Sequence, residues 1–226
     1  MATALPENLK ERVKDSYDAI AAKYNEWTVP HYKYRTRYLE QALSRLSKSE
    51  GLAFLELGCG SGVPVTKGLL AHPGVAKVVA NDLSDTQLAI ARGNLVHTPD
   101  DARRLTLLPG DMSSLDFQDG SFDLVAAFYS FVHLPRAEQA VLFERVARWL
   151  RPGGYLVANF GRQDKEVMVQ PKWLDEKGWM FWSGWGEEAT LGKIRDAGLE
   201  VVVAEVVTDS SADVSDSSFL WVIARR

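Results

Sequence analysis

Leu55-Glu56-Leu57-Gly58-Cys59-Gly60-Ser61-Gly62 is the end of a short apolar run followed by three alternating glycines. The run AFLELG reads as a buried strand, and Val65 to Ala71 reads as the helix after it. Glycines at such a strand-to-helix turn let the backbone approach a nucleotide without Cβ collisions. The spacing here is G-x-G-x-G. A dinucleotide fingerprint would need glycine at position 63, where this chain has Val63. The shorter spacing suits a ligand with no pyrophosphate to seat at the helix N-terminus.

The next elements repeat the alternation. KVVAND reads as a second strand ending in Asp82, and Thr86 to Asn94 as a helix capped by Ser84 or Asp85. A carboxylate at Asp82 can accept both hydroxyls of a ribose, which argues for a free 2′-hydroxyl. LTLLPGD reads as a third strand ending in a turn. The acid of its Gly110-Asp111-Met112 can take the exocyclic amine of adenine while Met112 packs on the ring. FDLVAAFYS is apolar along its length, as expected of a parallel strand covered on both faces. Pro135 suits the first turn of a helix running to about Leu150. RPGG breaks that helix, and YLVANF reads as a fifth strand.

This order implies an α/β, Rossmann-like, mostly parallel seven-stranded sheet with helices on both faces and an antiparallel C-terminal strand. Such sheets bind ligands at the carboxyl ends of their strands, just after Leu57, Ala80, Pro109 and Phe128. Upstream, Asn8 is expected to cap a helix with Leu9, Val13, Tyr17 and Ile20 on one face. Pro30 interrupts the pattern, and a second helix is expected from Tyr32 to Leu46. Past Gly161 the regularity stops for about thirty residues. Thr190 to Ala197 then reads as a helix, and LEVVVAEVVT and SFLWVIARR as closing strands, with DSSADVSDSS as a polar hairpin loop between them. The expected division of this one domain is a helical lid over 1–50, a cofactor-binding core over 51–160, an aromatic-rich acceptor cap over 161–198 and closing strands over 199–226.

Composition narrows the function. The net charge of −4 offers no footprint for nucleic acid. A single cysteine rules out an internal disulfide and a multi-cysteine metal site, and fits a reducing compartment. No stretch of about 18 apolar residues is present. A cytoplasmic protein acting on a small molecule is expected, as monomer or homodimer, with no membrane or metal.

LELGCGSG, ANDLSDTQLAIAR, PGDM, FDLVAAFYSFVHLP and RWLRPGGYL occur in the order and spacing of class I S-adenosylmethionine-dependent methyltransferases. The chain resembles most the branch related to ubiquinone/menaquinone-biosynthesis and microbial secondary-metabolite methyltransferases, over roughly residues 16 to 160. The resemblance implies S-adenosyl-L-methionine as cofactor and S-adenosyl-L-homocysteine as product. It implies that Glu56, Gly58 and Gly60 line the methionine end, that Cys59 is among the cofactor-binding residues, and that Asp82 holds the ribose. Leu83 would lie at the adenine face, Asp111 and Met112 at its edge, and Phe128 and Tyr129 beneath the sulfonium, with Gln87 also binding the cofactor. Tyr17 or Tyr24, from a lid, would reach the cofactor's carboxylate.

Direct displacement at the methyl carbon needs an aligned acceptor and, for an acidic acceptor atom, a base. His133 is the first candidate for that base, since it follows the fourth strand at the functional edge. His31 is the second, in the N-terminal region. Trp173, Trp179, Trp182 and Trp185 crowd the stretch after the fifth strand and point to a flat or apolar acceptor, with Trp182 or Trp185 facing it. The competing readings are a cofactor binder without methyl transfer, a cofactor-assisted rearrangement enzyme, and a nicotinamide-dependent oxidoreductase. Val63 and the lack of a Tyr-x-x-x-Lys pair weaken the last.

Overall fold

The computed structural model describes residues 4–208 and 218–226. Its elements in chain order are α1 (Leu9–Trp27), α2 (Tyr32–Leu43), β1 (Leu52–Leu57), α3 (Val65–Ala71), β2 (Val75–Asp82), α4 (Asp85–Leu95), α5 (Pro99–Arg104) and β3 (Leu105–Pro109). They continue with β4 (Phe122–Ala127), α6 (Arg136–Trp149), β5 (Leu150–Gly161), β6 (Asp164–Pro171), β7 (Trp179–Trp185), α7 (Glu187–Asp196), β8 (Glu200–Thr208) and β9 (Ser218–Arg225). The main sheet has the order β3-β2-β1-β4-β5-β9-β8. β1 to β5 pair in parallel, and β9 runs antiparallel to both β5 and β8. This is the expected architecture.

Strand alternation divides the core into two layers. Phe54, Val78, Leu124 and Trp221 face α2, α3 and α4, where Tyr38 stacks on Trp221 with ring centroids 4.6 Å apart. Leu55, Leu57, Val125 and Leu156 face Leu142, Phe143 and Val146 of α6 and Ile194 of α7. β1 and β4 are neighbours, while the chain winds outward from them in opposite directions. Their carboxyl ends therefore open a crevice between their two succeeding loops.

Several expectations change at the periphery. Asn8 takes a left-handed conformation (φ 50°) and its side chain makes no cap hydrogen bond, whereas Ser84 caps α4 by accepting from Gln87 N–H. The second helix stops at Leu43 rather than Leu46. Helix α5, held by a capping box between Thr98 and Asp101, lies where no helix was expected. Residues 161–186, read as irregular, contain the antiparallel hairpin β6–β7. β6 is largely exposed on both faces and its register with β7 shifts between Lys165 and Met168, so no period-2 apolar signal marks it. The expected hairpin loop lies almost entirely in residues 209–217, outside the described residues.

Candidate active site

Two cavities meet above the carboxyl ends of β1, β2 and β4. The first lies on the glycine loop, and the three glycines differ in what holds them there. A Cβ on Gly58 would fall 2.5 Å from Ser130 Cβ, and one on Gly62 would fall 2.5 Å from Leu95 Cδ1. Those two are demanded by packing. Gly60 (φ 54°) has nothing nearer than Gln87 Oε1 at 4.0 Å, so its bare backbone faces the cleft.

Asp82 closes β2 beside this loop. One of its oxygens accepts from Gly60 N–H at 2.7 Å and the other from Ser84 N–H at 2.9 Å. Burial lifts its pKa to about 6 despite these two bonds. Leu83, Gln87, Met112, Phe128 and Tyr129 line the same cleft. Asp111 lines it too, bonded to Ser113 N–H at 2.9 Å and to the Lys10 ammonium at 2.7 Å. Gln87 Nε2 and Ser130 Oγ are buried here with no hydrogen-bond partner among the described residues. Tyr129 keeps a strained φ of 56° while Asn159 Oδ1 accepts its N–H at 2.7 Å.

Glu56 and Cys59 are not among the residues lining the cleft. Strand alternation turns Glu56 back toward α3, where its carboxyl accepts the Thr66 hydroxyl, and burial raises its pKa to about 8. The Cys59 side chain is buried in the core layer, and its N–H donates to Asn81 O.

α1 covers the first cleft. Lys10, Tyr17 and Tyr24, spaced by sevens along one helix face, all line it. Asp18 accepts from Ser84 Oγ at 2.6 Å, Ser16 Oγ accepts from Trp179 N–H at 2.7 Å, and Asn25 Nδ2 donates to Gln87 Oε1 at 3.1 Å. Held down in this way, the helix leaves a cavity volume of about 70 Å³ beneath it.

The second cavity is wider, about 370 Å³. Trp27, Trp173, Trp182 and Phe219 form its aromatic walls, with His31, Arg35, Arg162 and Lys165 also lining it. Trp182 faces this cavity and Trp185 does not. Three residues apart on β7, they point to opposite faces, and Trp185 instead carries Lys193 Nζ 4.0 Å above its ring. Gly184 also lines the cavity.

Tyr17, Tyr24, Tyr129 and His133 line both cavities. His133 Nδ1 lies 2.9 Å from Phe181 O, and Nε2 lies 2.9 Å from Tyr17 Oη. A carbonyl can only accept, so Nδ1 carries the proton and Nε2 receives the Tyr17 O–H. Burial lowers the His133 pKa to about 4 and raises that of Tyr17. Lys10, Asn25, Arg35, Ser130, Arg162 and Lys165 escaped the sequence reading. The seven-residue spacing of Lys10, Tyr17 and Tyr24 could have found Lys10, but no local signal marks the others.

Residues 54–154 match the family described as a methyltransferase domain. The chain is 28% identical over 150 residues to a demethylmenaquinone methyltransferase of Lactococcus lactis, an overlap of 66% of this chain and 58% of that one. It is 36% identical over 120 residues to methyltransferase GfsG of Streptomyces halstedii, an overlap of 53% and 41%. The chain thus spans about half the length of these two relatives. In fold it is similar to 1,6-didemethyltoxoflavin-N1-methyltransferase of Burkholderia thailandensis, solved with bound 1,6-didemethyltoxoflavin and S-adenosylhomocysteine. The TM-score is 0.72 at 17% identity, covering 100% of this chain and 92% of that one. On its family match, its relatives and its fold, the chain carries, over residues 54–154, an S-adenosylmethionine-dependent methyltransferase domain similar to those of demethylmenaquinone methyltransferase and GfsG.

Proposed function

We propose that this chain transfers the methyl group of S-adenosylmethionine to a small, flat or apolar acceptor and releases S-adenosylhomocysteine. The observation that carries this reading is the wall of Tyr17, Tyr24, Tyr129 and His133 shared by the two cavities. In-line transfer between two bound molecules requires such a meeting point.

The first cleft fits the cofactor's chemistry. Each Asp82 oxygen accepts one backbone N–H and keeps capacity for a ribose hydroxyl. Gly60 lets the ligand approach the backbone. Leu83 and Met112 would flank the adenine, and Asp111 would take its exocyclic amine. Gln87 Nε2 and Ser130 Oγ are buried polar atoms that a ligand would satisfy. Arg35 lies within electrostatic reach of Glu56 and Tyr17 and, with Tyr24, suits the methionyl carboxylate. A cationic ligand near Glu56 would draw its raised pKa down.

When bound, the cofactor supplies an electrophilic methyl group. The chain's own residues align the acceptor, exclude water and move a proton. Trp173 and Trp182 hold a flat acceptor, and α1 seals the reacting end. The proton leaving the acceptor passes to Tyr17 Oη as Tyr17's own proton moves to His133 Nε2. The Phe181 carbonyl stabilises the imidazolium that forms by accepting from Nδ1. Trp185 has no part in the acceptor site.

Calorimetric titration with S-adenosylmethionine, S-adenosylhomocysteine and NAD tests the reading. Both sulfur nucleosides are expected to bind in the micromolar range, NAD not at all, and Asp82→Ala to weaken binding by about 100-fold. Folded protein that binds neither sulfur nucleoside would sink it.

A further inference from the structure

We infer that the acceptor carries an anionic group, a carboxylate on an aromatic or conjugated skeleton. This rests on the methyl-transfer reading and names the chemistry of the second cavity. Among the described residues lining that cavity there is no Asp or Glu, while Arg35, Arg162 and Lys165 all line it. The whole chain has 30 acidic side chains against 26 Lys and Arg, so composition alone does not keep acids out of the described part of this wall.

The hairpin shows how the charges are sorted. Along Asp164-Lys165-Glu166, successive side chains alternate faces, and Lys165 is the one that lines the cavity. Asp164 is held outside by an ion pair with Arg136, whose guanidinium also donates to Gly184 O. Glu166 is exposed and lies off the cavity. The register shift between Lys165 and Met168 then returns Met168 and Gln170 to the cavity face.

Among the described residues, neither Arg162 nor Lys165 has a carboxylate within ion-pair distance. Two such cations beside low-dielectric aromatic walls focus a positive potential into the opening. Arg35 sits deeper, its guanidinium 4.8 Å over the Tyr129 ring and bonded to Thr28 Oγ1 at 2.6 Å. The acceptor's carboxylate meets Arg162 and Lys165 at the mouth. Its ring lies against Trp173 and Trp182, which make an edge-to-face pair with centroids 5.6 Å apart. Its methyl-accepting atom is directed inward toward Tyr17 and Tyr129.

The test uses full-length protein saturated with S-adenosylhomocysteine and titrated with hydroxylated benzoates and naphthoates, each paired with its methyl ester. The acids are expected to bind at least about tenfold tighter than their esters, a preference that added salt weakens. An Arg162→Ala/Lys165→Ala variant is expected to lose the preference while its S-adenosylhomocysteine affinity is unchanged. No acid preferred over its ester, or a preference that persists in the variant, would overturn the proposal while leaving the cofactor reading intact. Failure of the wild type to bind S-adenosylhomocysteine would overturn both.

Discussion

The two cavities share a wall but differ in charge and in the elements that build them. The first is made by the ends of β1, β2, β3 and β4, and its charged groups are the carboxylates Asp82 and Asp111 and the Lys10 ammonium paired with Asp111. The second is made by α1, α2, the β6–β7 hairpin and the start of β9, and its described charges are all cationic. The carboxylates stand at or just after the carboxyl ends of β2 and β3, so sheet register sets their positions. The cations stand on α2 (Arg35), on the turn between β5 and β6 (Arg162) and on the largely exposed β6 (Lys165), so tertiary docking sets theirs. A site divided this way can distinguish a nucleoside with a cationic sulfur from an acceptor of opposite charge.

The sharpest way to break the comparison is at the shared wall. Tyr17→Phe removes the hydroxyl between the cavities and keeps the ring. It is expected to lower kcat by about 100-fold while S-adenosylhomocysteine affinity moves less than about threefold. A loss of affinity comparable to the loss of kcat would make Tyr17 part of the first cavity alone.

The glycine loop separates ligand approach from packing. Gly60→Val places a branched side chain in the cleft and is expected to weaken S-adenosylhomocysteine binding by about 30-fold. Gly62→Ala collides with Leu95 and is expected to cost about 2 kcal/mol of stability, with affinity little changed in the folded fraction. Calorimetry and denaturant unfolding on both variants would read the two effects apart. Equal losses of stability would mean that the loop has only a packing role.

The smallest effect concerns pH. The Asp82 pKa is raised to about 6, chiefly by burial, and a protonated carboxyl loses acceptor capacity for the ribose. Affinity for S-adenosylhomocysteine is therefore expected to fall as pH drops below 6, approaching tenfold per unit, and to be flat above 7. The stability contribution has the opposite sign. Between the unfolded carboxyl value and pH 6 the native state binds more protons, so the Asp82 contribution is greatest at low pH and is lost as pH rises through 6. Binding curves and unfolding curves collected from pH 5 to 8 should diverge. Parallel curves would mean that another group controls the cleft.

Legibility tracked local constraint. Gly58, Gly60, Asp82, Asp111 and Met112 could be placed because each lies at the end of a strand whose apolar run is visible, and the sheet brings such ends to one edge. Tyr17 and Tyr24 could be placed because helical spacing puts them on one face. The bond between Tyr17 and His133 spans 116 residues, so it has no local signature. Glu56 stands beside the glycines in sequence, yet its carboxyl turns toward Thr66 of α3, because proximity along the chain does not say which way a strand residue points. Trp182 and Trp185 could not be told apart until β7 existed to give them faces. Arg35 and the outward Asp164 depended on the docking of α2 and the hairpin.

The sequence by itself determined the parallel sheet, the nucleoside-type loop and the acid at the end of the second strand. Those features rest on short-range periodicity and backbone sterics, which are written along the chain. The tertiary structure alone decided the hydrogen bond between Tyr17 and His133, the seat of α1 over the first cleft and the cationic lining of the second cavity among the described residues. Each of these arises where distant segments pack together, and side-chain burial and pairing there are properties of the assembled fold.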